Sequence, residues 1–280
     1  MRNPTNILSV DLEEWYHPEY VKCVASSEKC ARVETNISKT LDLLKRQNVT
    51  ATFFIVGELA EIHPQIVDEI AAEGHEIAFH GYDHEPLWKK TPESLRAEIE
   101  KFRRITNDQC MGFRAPSFSL NNKTKWALRI LKEAGYKYDS SIFPAKVPLY
   151  GVRNAPTRLY KPSLEDVSKE DESSELWEFP LLVHTFLGLR IPVAGGFYLR
   201  LLPQNIIKSA LVKSNRNGYP GVIFFHSWEM DPDTPRLKIG LYKSFVTYHN
   251  LETVERRLRS LLSQFEFASF RDYLEKNRLL

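Results

Sequence analysis

The stretch His80-Gly81-Tyr82-Asp83-His84 carries the clearest chemical content in the chain. Two imidazoles four positions apart can address one metal ion, from a helix face or from a tight turn after a strand. The preceding residues choose the turn. Glu76-Ile77-Ala78-Phe79 is a short apolar run after Gly74, too short for a helix and suited to a buried strand. Gly81 and Pro86 both oppose a helix through the motif. The histidines are therefore expected at the carboxyl end of a strand and in the loop that follows it.

Four more residues of complementary chemistry, Asp11, Arg114, Asp139 and His226, each fall at or just past the end of a different predicted strand. The strands are read over Ile7 to Val10, Ala51 to Val56, Glu76 to Phe79, Gly112 to Pro116, Tyr136 to Ser140, Leu176 to Phe179, Gly221 to Phe225 and Phe267 to Phe270. Helices are predicted from about Thr35 to Gln47, Pro64 to Ala72, Thr91 (as N-cap) to Thr106, Asn122 to Ala134, Pro203 to Asn217, and from an Asn250 cap to Phe265. Alternating strands and helices argue for an α/β fold with a parallel sheet, a closed or nearly closed barrel of about seven strands. In such a barrel the strand ends converge on one face, which brings these residues together. Residues 143–175, with prolines at 144, 148, 156 and 162, read as an irregular excursion or lid inside one domain spanning 1–280.

Composition bounds the partners. The chain has 280 residues, a hydrophobic fraction of 42% and a charged fraction of 26%, as in soluble globular proteins. A net charge of +2 gives no nucleic-acid footprint. Cys23, Cys30 and Cys110 are odd in number and irregularly spaced, which suggests ordinary thiols rather than a disulfide framework or a zinc site. No apolar run approaches the ~20 residues of a membrane span. The opening residues lead straight into the first strand, not into a secretory signal, so the expected location is cytoplasmic.

The ordered set Ser9-Val10-Asp11-Leu12-Glu13-Glu14, His80 to His84, Phe113-Arg114-Ala115-Pro116, Tyr138-Asp139-Ser140-Ser141 and Phe224-Phe225-His226-Ser227-Trp228-Glu229 resembles the polysaccharide deacetylases with NodB homology (carbohydrate esterase family four). It is most similar to the subgroup associated with exopolysaccharide biosynthesis. The segment Gly195 to Pro203 and the run His226 to Asp233 resemble that subgroup's carboxyl-terminal signature.

The resemblance implies a distorted β/α barrel that removes acetyl from an N-acetylated sugar with a divalent metal, usually zinc. By that likeness His80 and His84 are metal ligands with a carboxylate from the first motif. Asp11 is the general base, Arg114 the residue that pairs with and orients it, and His226 the general acid. Asp139 would orient the His226 imidazole, and a backbone amide near Ser117 would serve the oxyanion. This chain departs from the family in two places. Leu12 follows Asp11 where relatives have a second aspartate, so the ligand is Glu13 or Glu14. Strand alternation puts Asp11 and Glu13 on one face and favours Glu13, while Glu14 takes the role if strand geometry has already ended. Ser117 stands where many relatives carry tyrosine, so one wall of the acetyl pocket departs from the family pattern. His17 is a candidate groove residue, and Trp15, Trp88 and Trp228 could stack on sugar or pack in core or rim.

The expected partner is an N-acetylated saccharide, with a membrane-surface precursor within its scope. Two rivals stand beside this reading: a hydrolase of the same fold acting on a small cyclic amide, and a non-catalytic saccharide-binding barrel. Sugar identity, linkage and oligomeric state are not legible in the sequence.

Overall fold

The short β-branched and aromatic runs are buried on both faces, which is the condition for a parallel sheet covered by helices. The computed structural model describes residues 5–22, 24, 31–147 and 150–280; residues 1–4, Cys23, Cys30 and Pro148 lie outside the described residues. The strands are β1 (Asn6–Leu12), β2 (Thr52–Ile55), β3 (Glu76–Phe79), β4 (Gly112–Phe113), β5 (Tyr138–Asp139), β6 (Trp177–Glu178), β7 (Val183–Phe186), β8 (Leu189–Pro192), β9 (Val222–His226) and β10 (Phe267–Ala268).

Seven of them pair in parallel in the order β6-β5-β4-β3-β2-β1-β9 and curl into a half-barrel, the distorted barrel expected from the sequence. β10 adds two parallel pairs at the start of β1. The side between β9 and β6 carries isolated hydrogen bonds, from Leu182 N–H to the Val222 carbonyl at 3.2 Å and from Phe224 N–H to the Ala194 carbonyl at 2.9 Å. Gly195 lies there against β9. A Cβ on it would stand 1.7 Å from the Phe224 carbonyl oxygen, so only glycine fits.

The helices are α1 (Glu19–Lys22), α2 (Val33–Gln47), α3 (Gly57–Ile62), α4 (Pro64–Ala72), α5 (Pro92–Ile105), α6 (Trp126–Glu133), α7 (Phe197–Leu201), α8 (Gln204–Arg216), α9 (Leu241–Tyr248), α10 (Val254–Leu262) and α11 (Phe270–Lys276). α2 buries Ile37, Leu41 and Leu44, spaced one helical turn apart, in the main core. α5 begins at a capping box in which the Thr91 hydroxyl accepts from the Ser94 N–H and the Ser94 hydroxyl from the Thr91 N–H. No helix among the described residues is long and apolar enough to cross a membrane.

Several sequence expectations need correction. α6 starts at Trp126, not Asn122, because Asn121 and Thr124 form a side-chain-bonded turn first. Asn250 makes no side-chain cap. It takes a left-handed conformation, and its amide donates toward the Arg200 carbonyl. α1, α3, α7, α9, α11 and the β7–β8 hairpin come from segments in which the sequence reading placed no helix or hairpin.

The 143–175 excursion is not a free lid. Phe143, Ala145, Ala155, Tyr160 and Val167 are buried in the main core, and Arg190 donates to the carbonyls of Pro144, Arg153 and Ala155. A second apolar cluster joins Trp15 and Val21 to Trp228, Ile239, Tyr248 and Leu251, tying the loop after β1 to the carboxyl-terminal part.

Candidate metal centre and active site

Register places the first pair of site residues. β1 and β9 run parallel with Asp11 opposite His226, so a carboxylate and an imidazole stand side by side at the strand ends. Glu13 follows two positions after Asp11 on the same face, and both are buried. Glu14 turns away, and its Oε1 accepts the N–H groups of Arg32 (2.8 Å) and Val33 (2.9 Å) at the start of α2. That position settles which of the two acids faces the histidines. It is Glu13.

His80 directly follows β3 and His84 lies in the loop beyond, in a left-handed conformation with φ 54°. Gly81 between them has φ 71°, and a Cβ there would come within 2.8 Å of Pro116 Cγ. The turn that presents both rings thus requires glycine. The His80 Nδ1 lies 2.8 Å from the Arg114 carbonyl, which fixes Nδ1 as the donor and leaves Nε2 with its lone pair. Burial lowers the His80 pKa to about 4, favouring the neutral ring a metal requires.

The candidate ligand atoms of Glu13, His80 and His84 lie within 4.8 Å of one another. His84 Nε2 approaches Glu13 Oε2 to 2.6 Å, yet Oε2 has no hydrogen-bond partner among the described residues. A buried carboxylate oxygen left without a hydrogen bond beside two imidazoles is a position that a cation would satisfy. Burial alone would raise the Glu13 pKa. The neighbouring His84 and His226 outweigh it and hold the carboxyl well below the usual carboxylate range. Two imidazoles and one carboxylate are a donor set that suits a divalent metal such as zinc.

Arg114, at the end of β4, is completely buried and makes four hydrogen bonds. Its Nη1 donates to Asp11 Oδ1 (2.5 Å) and Ser9 Oγ (2.9 Å), its Nε to the Ser140 carbonyl (2.9 Å) and its Nη2 to Ser140 Oγ (3.0 Å). The guanidinium lies 4.1 Å over the Phe54 ring. One Asp11 oxygen is held in this way, and the other stands 3.9 Å from His80 Nε2.

The orienting partner of His226 is not Asp139. His226 Nδ1 lies 2.9 Å from Glu229 Oε2, and the same oxygen accepts the His226 backbone N–H at 2.9 Å. Glu229 caps the 3₁₀ turn Ser227–Met230. That turn folds its carboxylate back onto the ring three residues earlier. Arg200 of α7, also buried, donates from Nε to Glu229 Oε1 at 2.7 Å. Burial favours the neutral His226 ring, but Glu229 and Glu13 reverse that and raise its pKa to about 9. Arg200 and His226 likewise overcome burial and hold Glu229 at about 2.

Asp139 faces elsewhere because β5 and β6 pair Asp139 with Glu178 on one face. It accepts from Ser141 Oγ at 2.5 Å, and burial raises its pKa. Burial and the Asp139 charge push Glu178 well above the ordinary range, so this buried pair retains a proton.

The remaining candidates divide clearly. Trp15 and Trp228 are buried in the second apolar cluster, and the Trp228 Nε1 donates to Glu13 Oε1 at 3.0 Å, so their work is packing and positioning. Trp88 is 48% exposed. His17 stacks on His84 at 5.6 Å between centroids and accepts the Glu14 N–H, which makes it a support for that ring. His75 accepts the Ala51 N–H, and His63 and His249 bond to Glu34 and Asn250, all outside the cluster. Burial pushes the Cys110 thiol up to about 12, as expected of an inert core cysteine.

The centre opens into a cleft holding about 830 Å³ of empty space, open solvent included. Tyr20, Phe118, Tyr150, Phe197, Tyr198 and Trp228 wall it, so the cleft is lined by aromatic side chains. Ser117 also lines it, in a left-handed conformation shared with Phe118.

Residues 28–138 match the polysaccharide deacetylase family, and residues 140–275 match a domain of unknown function, DUF3473. A peptidoglycan-N-acetylglucosamine deacetylase of Bacillus cereus is 45% identical over 96 residues, 32% of this chain and 34% of its own. A peptidoglycan deacetylase of Helicobacter pylori is 30% identical over 178 residues, 61% of this chain and 56% of its own. The chain thus spans between about a third and somewhat over half the length of these two relatives. Among solved structures, a Mycobacterium smegmatis protein described as a polysaccharide deacetylase superposes with a TM-score of 0.60 at 18% identity, covering 99% of this chain and 92% of that one. A carbohydrate esterase family 4 pseudoenzyme from Bacillus anthracis gives 0.51 at 13% identity, covering 98% and 66%. At such identities the likeness is one of fold.

Proposed function

We propose that this chain, which carries a polysaccharide deacetylase domain, hydrolyses the acetamide of an N-acetylated sugar in a saccharide and releases acetate. The observation that carries the reading is the convergence of Glu13, His80 and His84, with its unsatisfied Glu13 oxygen, between Asp11–Arg114 and His226–Glu229. A divalent ion held by the three ligands, zinc by the chemistry of that donor set, supplies polarisation of the amide carbonyl and acidification of water.

The chain's own residues do the rest. Asp11, with Oδ1 held by Arg114, accepts the proton of the attacking water at Oδ2. His226, with Nδ1–H held by Glu229, presents Nε2 to the departing sugar nitrogen and gives it a proton. Glu229 favours the protonated ring that such a step consumes. Pro116 has no N–H and the Phe118 N–H is bonded to the Ala115 carbonyl, so the Ser117 backbone N–H, on a residue that lines the cleft, is the donor we assign to the developing oxyanion. The aromatic walls exclude water and fix the sugar face. The proposed site draws on both matched parts and on β1 before them: His80, His84 and Arg114 lie within 28–138, Arg200, His226 and Glu229 within 140–275, and Asp11 and Glu13 precede both.

An N-acetylglucosamine unit is the substrate we favour, in accord with the names of the relatives and the resemblance to exopolysaccharide deacetylases. The test is elemental analysis of wild type, His80→Ala and Glu13→Ala, with acetate release measured on N-acetylglucosamine oligomers and peptidoglycan fragments. The expected result is near-stoichiometric metal and activity in the wild type and loss of both in the variants. A folded wild type that neither takes up metal nor releases acetate would overturn the reading and leave a binding protein.

A further inference from the structure

The β7–β8 hairpin ends in Phe186-Leu187-Gly188-Leu189, with Phe186 58%, Leu187 87% and Leu189 66% exposed. Its two-residue turn has φ 46° at Leu187 and φ 77° at Gly188. Both central positions of such a turn call for left-handed backbone, which Asn-Gly supplies with the least strain. Leucine in the first of them is unfavourable for the fold, and no packing compensates for it in so exposed a side chain. A residue that breaks the local rule without a structural return marks a functional position.

The surroundings are basic. Lys146, Arg153 and Arg190 share a surface cleft with Gly188 and Leu189, and Lys213 donates to the Thr185 carbonyl at 3.1 Å. No acidic residue occurs between Asp139 and Glu165 or between Glu178 and Glu229, the two segments that build this region. Convex apolar tips ringed by cations match neither a saccharide nor a polar protein surface. They match a bilayer with anionic headgroups, where the apolar residues enter the interface and the cations meet phosphates.

We propose that this hairpin docks the protein on an anionic lipid bilayer, Phe186, Leu187 and Leu189 entering the interface and Lys146, Arg153, Arg190 and Lys213 contacting headgroups. The role is independent of the deacetylase reading, because none of these residues belongs to the metal centre or its cleft.

Co-sedimentation of the full chain with vesicles of mixed phosphatidylcholine and phosphatidylglycerol, against phosphatidylcholine alone, tests it. Binding is expected to the mixed vesicles, weakened by salt, and to fall at least about tenfold in Phe186→Ser/Leu187→Asn/Leu189→Ser, with acetate release from soluble oligomers unchanged. Leu187→Asn alone separates docking from folding: it creates an Asn-Gly turn, so thermal stability should hold or rise while binding weakens. Three results would overturn the proposal. The wild type fails to bind the mixed vesicles, the triple variant binds as well as wild type (which would point instead to exposed Leu241, Tyr242 and Phe245 of α9), or the tip proves to mediate self-association that the triple variant abolishes.

Discussion

Replacing Glu229 by glutamine isolates the carboxylate that orients His226. In the wild type one Glu229 oxygen serves both the ring Nδ1 and the backbone N–H at 2.9 Å, and the other meets Arg200 at 2.7 Å. Glutamine keeps the shape but removes the charge, and hydrogen bonds to charged groups contribute about 1.5–3 kcal/mol. If that stabilisation is needed as His226 transfers its proton, kcat falls roughly ten- to 150-fold, since each 1.36 kcal/mol is a factor of ten. KM changes little, because the loss is realised in the transition state and not in substrate binding. Arg200 is left buried without its counter-charge, which costs stability, and Glu229→Gln/Arg200→Met removes that burden without restoring kcat. Steady-state acetate release, metal content and thermal melting on Glu229→Gln, the double variant and Asp139→Asn give the comparison. A kcat loss in Asp139→Asn with an unaffected Glu229→Gln would refute the argument and restore Asp139 as the partner of His226.

Glu178→Gln tests the proton held by the Asp139–Glu178 pair. Both groups have raised pKa values in the folded protein, so their contribution to stability is complete below the unfolded carboxyl range near pH ~4 and is lost as pH rises through the raised folded values. The variant should therefore come nearest to wild type at or below about pH 4 and gain on it steadily toward neutral pH in urea melts; parallel pH dependence in the two proteins would exclude the pair as a proton store. Gly81→Ala, at φ 71° with its new Cβ 2.8 Å from Pro116, should destabilise by more than about 1 kcal/mol and weaken metal retention by displacing His80 or His84. Unchanged melting and metal content in that variant would show that the turn tolerates a side chain.

Much of the architecture was legible because it rests on local physics. The buried runs at β1, β2, β3 and β9, the proline that opens α4 and the Thr91 cap of α5 are patterns of neighbouring residues. Segments without a polar face or a standard turn were not legible. α9 exposes Leu241, Tyr242 and Phe245, and the β7–β8 turn is Leu-Gly in place of Asn-Gly, so neither shows the expected periodicity or turn chemistry.

At the site, the sequence by itself determined the reactive groups: two histidines presented from a glycine turn, and Asp11, Arg114 and His226 at strand ends. Strand position dictates which end of a parallel sheet a side chain occupies, and that is a local property. Which groups then touch was decided only by the tertiary structure. Glu14 is drawn to the start of α2, leaving Glu13 to the histidines. Asp139 is paired with Glu178 by the β5–β6 register. Glu229 reaches His226 because the turn after β9 is packed, through Trp228, against the loop that carries Glu13. Charge and hydrogen-bond partners are set by distances across strands and between apolar clusters, and those distances exist only once the chain has folded.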